Sequence, residues 1–553
     1  MKSKYKEKEI HWYNSALLLI AAFVVMYMPL QLGSKELSTR EGYFAAMAVE
    51  KNVASALPVA VAQGEVLSGY YPLFPALASL FDKTGIPMEL NLRLISVFAL
   101  MMLAVTVWIV GRRAVSPQAG IVAAVMTVTT VLVTDKGIDG YPNMLACLFI
   151  FWGWMVWFTF GAVKRMWPQA WIYSSFFCGL AFYTIGWLAI VYFVFPFIFL
   201  RRPLTVWRKL KSPSVIVAFI VVVGFVLFWA VPMWMVSDSL HVREQSIDVF
   251  TFSEYFTHLL EFPFDVAVKL LPWSFIAWAP FCVALFRMDD NLMFSRYLRT
   301  IVISLFAFMW LNPFYNSRDL LVLVAPLAVL CGSNYWILVR RYTRQYYYIF
   351  RIIALCIATV ALMIIGFYLI PNSWLDLAPY LGRGLEFKDD FKIMGLTKLC
   401  IALMISLYLF FLEHRNIVLW RNMLGLVVAV SLCNWGFVTP YKAQTTMKHR
   451  FAESLKDAIL AEADYSENLV VYKDTNIAGL YSECYYLGCQ VKRIHSLNEL
   501  PEDKKTVYLL STRTPFIPGR KTSNLLPKGK QYKKTVVYLW KGVLEEEVDS
   551  NEL

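Results

Sequence analysis

The sequence predicts a mainly α, polytopic membrane protein, with about 13 transmembrane helices and a small C-terminal α/β domain. Three observations predict it. Hydrophobic residues make up 58% of the chain and charged residues only 16%, whereas a soluble globular chain is roughly half apolar and a quarter charged. Apolar runs on the scale of a bilayer recur from Ser15 to Val438. Past Thr439 and Pro440 these runs stop, and charged residues mix with short apolar segments.

A hydrocarbon core about 30 Å thick takes about 20 apolar residues per helix. The runs are Ser15–Leu32, Leu90–Val110, Gln118–Val133, Asn143–Phe160, Trp171–Tyr183, Trp187–Leu200, Val215–Val236, Val266–Phe286, Ile301–Leu311, Leu320–Val339, Ile349–Ile370, Leu396–Leu412 and Ile417–Val438. Several are short and crowded by Pro and Gly. The first is too long for the apolar core of a signal peptide, and no small-residue cleavage pattern follows it, so it is expected to be a true first span.

Lys and Arg set the expected orientation. With the N-terminus inside, the inside segments carry Lys2, Lys4, Lys6 and Lys8; Arg112 and Arg113; Lys164 and Arg165; Arg201 to Lys211; Arg287, Arg296 and Arg299; Arg340, Arg341 and Arg344; and Arg415 and Arg421. The outside loops are poorer, with one Lys in Thr134–Pro142 and one Arg in Asn312–Asp319. The net charge of +13 is thereby tied to anionic lipid headgroups rather than to nucleic acid. The expected place is the inner (plasma) membrane of a bacterium, with a cytoplasmic N-terminus and a periplasmic C-terminal domain.

Two domains are expected: a transmembrane part, 1–440, and a periplasmic α/β domain, 441–553. The second contains the strand-like segments Leu469–Tyr472, Val491–Ile494, Thr506–Leu510 and Thr535–Trp540. Helical or loop stretches such as Phe451–Ala463 and Ile477–Leu487 alternate with them. Between the first two spans, in 33–89, Glu41–Lys51 and Tyr70–Phe81 are too short to cross and are expected to lie at the membrane interface. A second large outside loop, Ser237–Asp265, carries His241, Arg243, Glu244, Asp248, Glu254, His258 and Glu261. No internal repeat suggests a transporter built from matched halves.

Seven of the nine cysteines sit in apolar runs, as small buried hydrophobes. Cys484 and Cys489, in SECYYLGC, fall in the outside domain, where an oxidising compartment would permit a disulfide; two free thiols are the alternative. No Cys/His spacing forms a zinc site, and no phosphate loop, dinucleotide fingerprint or Ser–His–Asp signature is present.

The polar residues to weigh are those placed at the outside face. Glu41, in LSTREGYFAAMAVE, follows Ser38 and Thr39, so helix capping accounts for it on spacing alone. Asp135, Lys136 and Asp139 form a compact polar loop that a solvated turn would explain. Arg318, which opens the tenth span against the charge bias, needs an anionic partner: Asp319, another side chain or a ligand phosphate.

In order and spacing these features resemble the GT-C class of membrane glycosyltransferases. The nearest branch is the bacterial aminoarabinose-transferase-like and protein-mannosyltransferase-like enzymes. The resemblance spans essentially the whole chain and rests on REGYFAAMAVE, YYPLFPALASLF, NLRLISVFALMMLAVTVWIVGRR, LPWSFIAWAPF and SRDLLVLVAPLAVLCG, closed by an outside α/β domain. It implies transfer of one sugar from a polyprenyl-phosphate donor to a lipid (lipid A-like) or protein acceptor at the periplasmic face, with inversion. Glu41 falls on the motif's Glu and would be the catalytic carboxylate; Phe44 and Glu50 match its later aromatic and acid. Arg40 stands where the family usually has Asp. The family's Lys-Pro-Pro-Leu is here Tyr70, Tyr71, Pro72 and Leu73, so the phosphate-binding Lys is missing. Arg318, then Arg93, would take its place. Arg40, Asp135, Asp139, His241 and Glu244 are further candidates. Family members differ over a divalent metal, and these residues show no ligand set for one. A flippase of lipid-linked sugars and a non-catalytic envelope protein on the same fold are the competing readings.

Overall fold

The computed structural model of the protein describes residues 23 and 33 and, from 35 to 544, all but 54–58, 68, 202–203, 207–209, 211, 238–241, 244–251, 287–288, 290, 370–388, 412–418, 440–446, 462–468, 478, 502–503, 518, 527–528 and 533–534. The expected first span, Ser15–Leu32, therefore lies outside the described residues apart from Phe23. In chain order the main helices are α1 (Glu41–Val53), α2 (Leu73–Asp82), α3 (Met88–Ala114), α4 (Pro117–Thr129), α5 (Asn143–Val156), α6 (Trp167–Ile185), α7 (Trp187–Ile198), α8 (Pro213–Ser237), α9 (Phe252–Lys269), α10 (Leu292–Leu311), α11 (Leu321–Leu369), α12 (Asp389–Phe411), α13 (Leu419–Cys433), α14 (Met447–Leu460) and α15 (Tyr481–Leu487). The strands are β1 (Val61–Ala62), β2 (Glu65–Leu67), β3 (Val242–Arg243), β4 (Val470–Asp474), β5 (Gln490–Ile494), β6 (Thr506–Ser511), β7 (Arg520–Asn524), β8 (Lys530–Tyr532) and β9 (Thr535–Leu544). The chain divides into two compact units. One holds Met1–Lys35, Arg93–Leu227 and Ile247–Gln444; the other holds Glu36–Leu92, Phe228–Ser246 and Thr445–Leu553.

The first unit is helical. Among the described residues, seven helices of the chain are long and apolar enough to cross a membrane. The apolar stretch Pro213–Met235 has a mean hydropathy of 2.9 in its best window, yet only 11% of that window is buried. Phe219, Phe228 and Trp234 are each more than 60% exposed. An apolar surface of that extent is stable in lipid and not in water, so the chain is a multi-pass membrane protein. Shorter apolar helices, α4 and α7 among them, complete the set.

Two runs depart from simple spans. Val266–Phe286 is not one helix. After α9 the chain turns at Leu271–Pro272 and continues as short pieces, Ser274–Ala277, Ala279–Phe281 and Val283–Phe286. Pro272 and Pro280 each lack the N–H that would carry a helix through. Conversely, Leu320–Val339 and Ile349–Ile370 are joined in the 49-residue α11. Tyr335 Oη accepts from Trp420 N at 3.1 Å, and Tyr368 Oη donates to Gly436 O at 2.7 Å. Trp420 and Gly436 stand about 24 Å apart along a helix, whereas a straight helix would put Tyr335 and Tyr368 about 50 Å apart. α11 therefore bends between Tyr335 and Tyr368, within the part of the helix that also carries Arg340, Arg341 and Arg344. Two apolar stretches, Leu321–Tyr335 and Arg344–Leu369, joined by a basic segment, are housed in one helix.

The second unit is α/β. Its larger sheet runs β5-β4-β6-β9-β7, with β8 also on β9. β4 is parallel to β5 and β6; β9 is antiparallel to β6 and β7. The alternation of β4 and β6 feeds two cores. Val471, Tyr508 and Leu510 pack with Phe451, Leu455 and Ile459 of α14 and Leu487 of α15. Tyr472, Val507 and Leu509 pack with Ile494, Leu500 and Trp540. All four expected strands are present, and β7 and β8 add to them. The two pieces expected at the interface form helices, α1 and α2. β1 and β2 form a hairpin between them, and β3, from the stretch Ser237–Asp265, lies parallel to β2. The hairpin is bonded to the larger sheet, with Arg493 N on Gln63 O at 2.8 Å and Arg493 Nη1 on Glu65 Oε2 at 3.0 Å.

Candidate functional site

In the first unit, polar side chains from three loops and helix ends meet where α10 passes to α11. Arg318 donates from Nη2 to Asp139 Oδ2 at 2.8 Å, and its guanidinium lies 3.8 Å from the Tyr141 ring centroid. Its partner is thus Asp139, not Asp319. The Nε of Arg318 is buried and has no hydrogen-bond partner among the described residues. Asp319 instead closes its own turn, accepting from Asn316 N at 2.9 Å and from Asn143 Nδ2 at 3.4 Å. Burial pushes its carboxyl up to about 6, against the Asn316 N–H, which favours the ionised form.

A second group adjoins it through Tyr315. The Tyr315 hydroxyl donates to Asp265 Oδ2 at 2.8 Å, and Lys269 Nζ donates to both Asp265 and, at 3.2 Å, the Tyr315 oxygen. His258 packs on Phe262 and Tyr315. Burial, then the bond to Asp265, raises the Tyr315 phenol well above its usual range, so it stays a donor. Sequence reasoning missed Asp265, Lys269 and Tyr315. The available signals were the i,i+4 spacing of Asp265 and Lys269 and the line Glu254, His258, Glu261, Asp265 at helical spacing.

An apolar cavity of about 1410 Å³ runs along α10, from Leu292, Arg296 and Arg299 to Asn312, Pro313 and Phe314. α7 supplies its other wall through Phe195. The loop whose Asn312, Pro313 and Phe314 line one end of it continues directly into Tyr315 and Arg318.

In the second unit Glu41 opens α1 and is 1% exposed. Its Oε2 accepts from Ser38 N at 2.7 Å, while Ser38 Oγ accepts from Glu41 N at 3.2 Å. This is a reciprocal capping box, the capping role read from spacing. Ser482 Oγ donates to Ser38 O at 2.9 Å, and Lys448 Nζ reaches Ser482 Oγ at 3.2 Å. A Cβ on Gly42 would stand 2.3 Å from Ser482 Oγ, so only Gly lets α1 meet α15 here. Tyr43 stacks between Tyr70 and Tyr481. Glu50 accepts from Gln63 N and Gly64 N and so fastens the hairpin.

The remaining candidates fall apart from these groups. Arg93 is 4% exposed and donates to Lys35 O at 2.8 Å. Asp135 pairs with Lys136 at 3.1 Å and is 65% exposed, as a solvated turn would be. Arg40 is exposed in the turn before α1. His241 and Glu244 lie outside the described residues. Cys484 and Cys489 are free thiols in this structure, not a disulfide. Burial raises both thiols, Cys484 to about 11 and Cys489 to about 12. Among the described residues no group of three His, Cys, Asp or Glu side chains is placed to hold a metal ion.

Comparison with known proteins agrees with this architecture. Residues 71–234 match the family model described as dolichyl-phosphate-mannose-protein mannosyltransferase. The chain is similar to ArnT from Cupriavidus metallidurans bound to undecaprenyl phosphate. The two are 13% identical, the match covers 96% of this chain and 98% of that one, and the TM-score is 0.67. The apo state of the same protein gives 13%, 95%, 97% and 0.66. No curated protein sequence matches. At this identity the likeness is one of fold, over nearly the full length of both chains. In fold, then, the chain is ArnT-like, the GT-C architecture that its motifs suggested.

Proposed function

We propose that the protein is a glycosyltransferase that moves a single sugar from a polyprenyl-phosphate donor to a lipid or protein acceptor at the non-cytoplasmic face of a bacterial inner membrane. One observation carries the proposal: the buried, unpartnered Nε of Arg318, on the loop that lines one end of the apolar cavity. A polyprenyl phosphate needs both environments, a long dry groove for the chain and a cation for the phosphate. Arg318 already commits one donor to Asp139, which holds the fork in place while Nε stays available.

The acceptor hydroxyl attacks the sugar's anomeric carbon, and the bond from that carbon to the phosphate oxygen breaks. Polyprenyl phosphate leaves with the bonding pair, and the hydroxyl proton passes to a carboxylate. Glu41 is the carboxylate the family resemblance assigns to that step, and its capping box fixes the rotamer. Arg93 is assigned a structural part, since its guanidinium is engaged by the Lys35 carbonyl. Undecaprenyl phosphate, the ligand named for the ArnT structure, supports a donor of this class.

Purified protein given a radiolabelled polyprenyl-phosphate sugar and envelope lipid or protein tests the reading. Release of polyprenyl phosphate with label appearing on the acceptor is expected. Label crossing a vesicle membrane with the donor intact would instead establish a flippase, and no donor consumption with any acceptor would leave a non-catalytic protein.

A further inference from the structure

The second unit contains a cavity of about 610 Å³ on the side of α1 marked by Ala46, Val49 and Glu50, closed by α15 and the start of β5. Among the described residues its polar lining is Glu50, Gln63, Glu89, Tyr481, Tyr485, Tyr486 and Gln490, with the thiols of Cys484 and Cys489, and no Lys or Arg lines it. Glu50 is held before any ligand arrives, bonded to the Gln63 and Gly64 amides, and Glu89 lies beside the Tyr486 hydroxyl.

Gln63 decides the chemistry. It is 2% exposed and sits at φ 57°, a left-handed conformation that costs a non-Gly residue energy. Lys473 Nζ donates to its Oε1 at 2.6 Å. Lysine has no acceptor, so this bond fixes which end of the amide is oxygen. The other end, Nε2, is buried without an oxygen or nitrogen acceptor among the described residues, beside the weakly accepting Cys484 sulfur. An occupant that reaches Gln63 Nε2 and both carboxylates accepts one hydrogen bond and donates others. A hydroxyl does both. A cationic amine cannot accept, and an anion would meet two acids while the buried cation beside Gln63, Lys473, is committed to Gln63 Oε1 and the Gly479 carbonyl. The Tyr485 ring beside these acceptors and donors suits the alternating CH and OH faces of a pyranose ring.

We propose that this cavity binds a saccharide unit through its hydroxyls, independently of the site that carries Arg318. The exposed rim residues Gly488 and Gln490 give it access to solvent.

The test uses the full-length protein in phospholipid nanodiscs, because sugar-headed detergents would compete. Saturation-transfer NMR is run with maltose and with the β1,4-linked disaccharide of N-acetylglucosamine, and with spermidine and inorganic phosphate as the cationic and anionic probes. At least one disaccharide is expected to receive saturation at millimolar concentration. Its affinity should fall about tenfold in Tyr485→Ala and in Gln490→Ala, and persist in Arg318→Ala. Gln490 is on the exposed rim, so its truncation spares the fold, and melting temperature checks both variants. Absence of binding by both disaccharides, equal binding in the two rim variants, or transfer to spermidine or phosphate in place of sugar would each overturn the proposal.

Discussion

At the residue scale, the same side chains carry two readings, and single substitutions separate them. Loss of the Arg318 guanidinium removes a charge-assisted bond worth about 1.5–3 kcal/mol. Arg318→Ala should therefore raise the donor KM tenfold or more, with Arg318→Lys recovering part of it, since the charge stays and the fork is lost. An unchanged KM in a folded Arg318→Ala variant would reduce the residue to a clamp on Asp139. Glu41→Gln is the sharper substitution, because a capping box accepts Gln as readily as Glu at this position. The fold should survive, and turnover should drop by about 10²–10⁴ if the carboxylate takes the proton. Near-normal turnover would leave Glu41 as a cap alone. Asp319 offers a pH test. Its carboxyl, raised to about 6 by burial, holds a proton in the folded chain between about pH 4 and 6, where the unfolded chain has lost it. Stability should then fall as pH rises through that window, by up to roughly 3 kcal/mol, and level off above it. Asp319→Asn should flatten the melting temperature between pH 4 and 6, and an unchanged slope would contradict the assignment. These three residues show how far the sequence reached. Ser38 and Glu41 are neighbours in sequence, so the cap was legible. Arg318 was legible as a cation in need of an anion, but its partner lies 179 positions away, and local spacing could only offer Asp319.

At the element scale, hydropathy located helices wherever one run meant one helix, and failed where backbone chemistry intervened. The prolines within Val266–Phe286 broke an apolar run, and the bend in α11 kept two runs in one helix. β7 and β8 were missed because their residues, RKTSN and KQY, are polar; only pairing with β9 makes them strands. Close helix crossings were not visible either, since a glycine in an apolar run has no distinctive neighbours in sequence. A Cβ on Gly120 of α4 would stand 2.5 Å from Trp108 O and 2.8 Å from Arg112 N of α3. A Cβ on Gly332 of α11 would stand 2.5 Å from Ala119 O. Three helices thus touch by backbone at one level, the small-residue packing that replaces hydrophobic drive inside lipid. Gly120→Val should destabilise the protein by about 1–3 kcal/mol through overpacking, read as a lower melting temperature in detergent. A Cβ on Gly224 of α8 would meet nothing within 4 Å, so Gly224→Val should leave the melting temperature unchanged. Equal effects of the two would mean that the crossing is not tight.

At the scale of the whole molecule, the proposed orientation depends on an alternation of charge that every connection must respect. The basic segments recur at Arg112 and Arg113, at Lys164 and Arg165, from Arg201 to Lys211, and at Arg340, Arg341 and Arg344. Arg340, Arg341 and Arg344 lie where the two apolar stretches of α11, Leu321–Tyr335 and Arg344–Leu369, meet. A helix that ran straight through both would leave one of those stretches out of the lipid, with Met363 and Leu369 both about 70% exposed. The bend returns it, so the number of crossings stays consistent with a cytoplasmic N-terminus and an outside C-terminal domain. A phosphatase active only in the periplasm should therefore work when fused after Leu553 and fail when inserted between Arg201 and Lys211. Fusions after Asn312 and after Arg344 bracket the first of these stretches. The first should be active and the second inactive, because one crossing separates them. Equal activity at 312 and 344 would mean that the stretch Leu321–Tyr335 does not cross. Activity at Arg201–Lys211 with none after Leu553 would invert the whole protein, and would place Arg318 on the cytoplasmic side, where the proposed transfer could not occur.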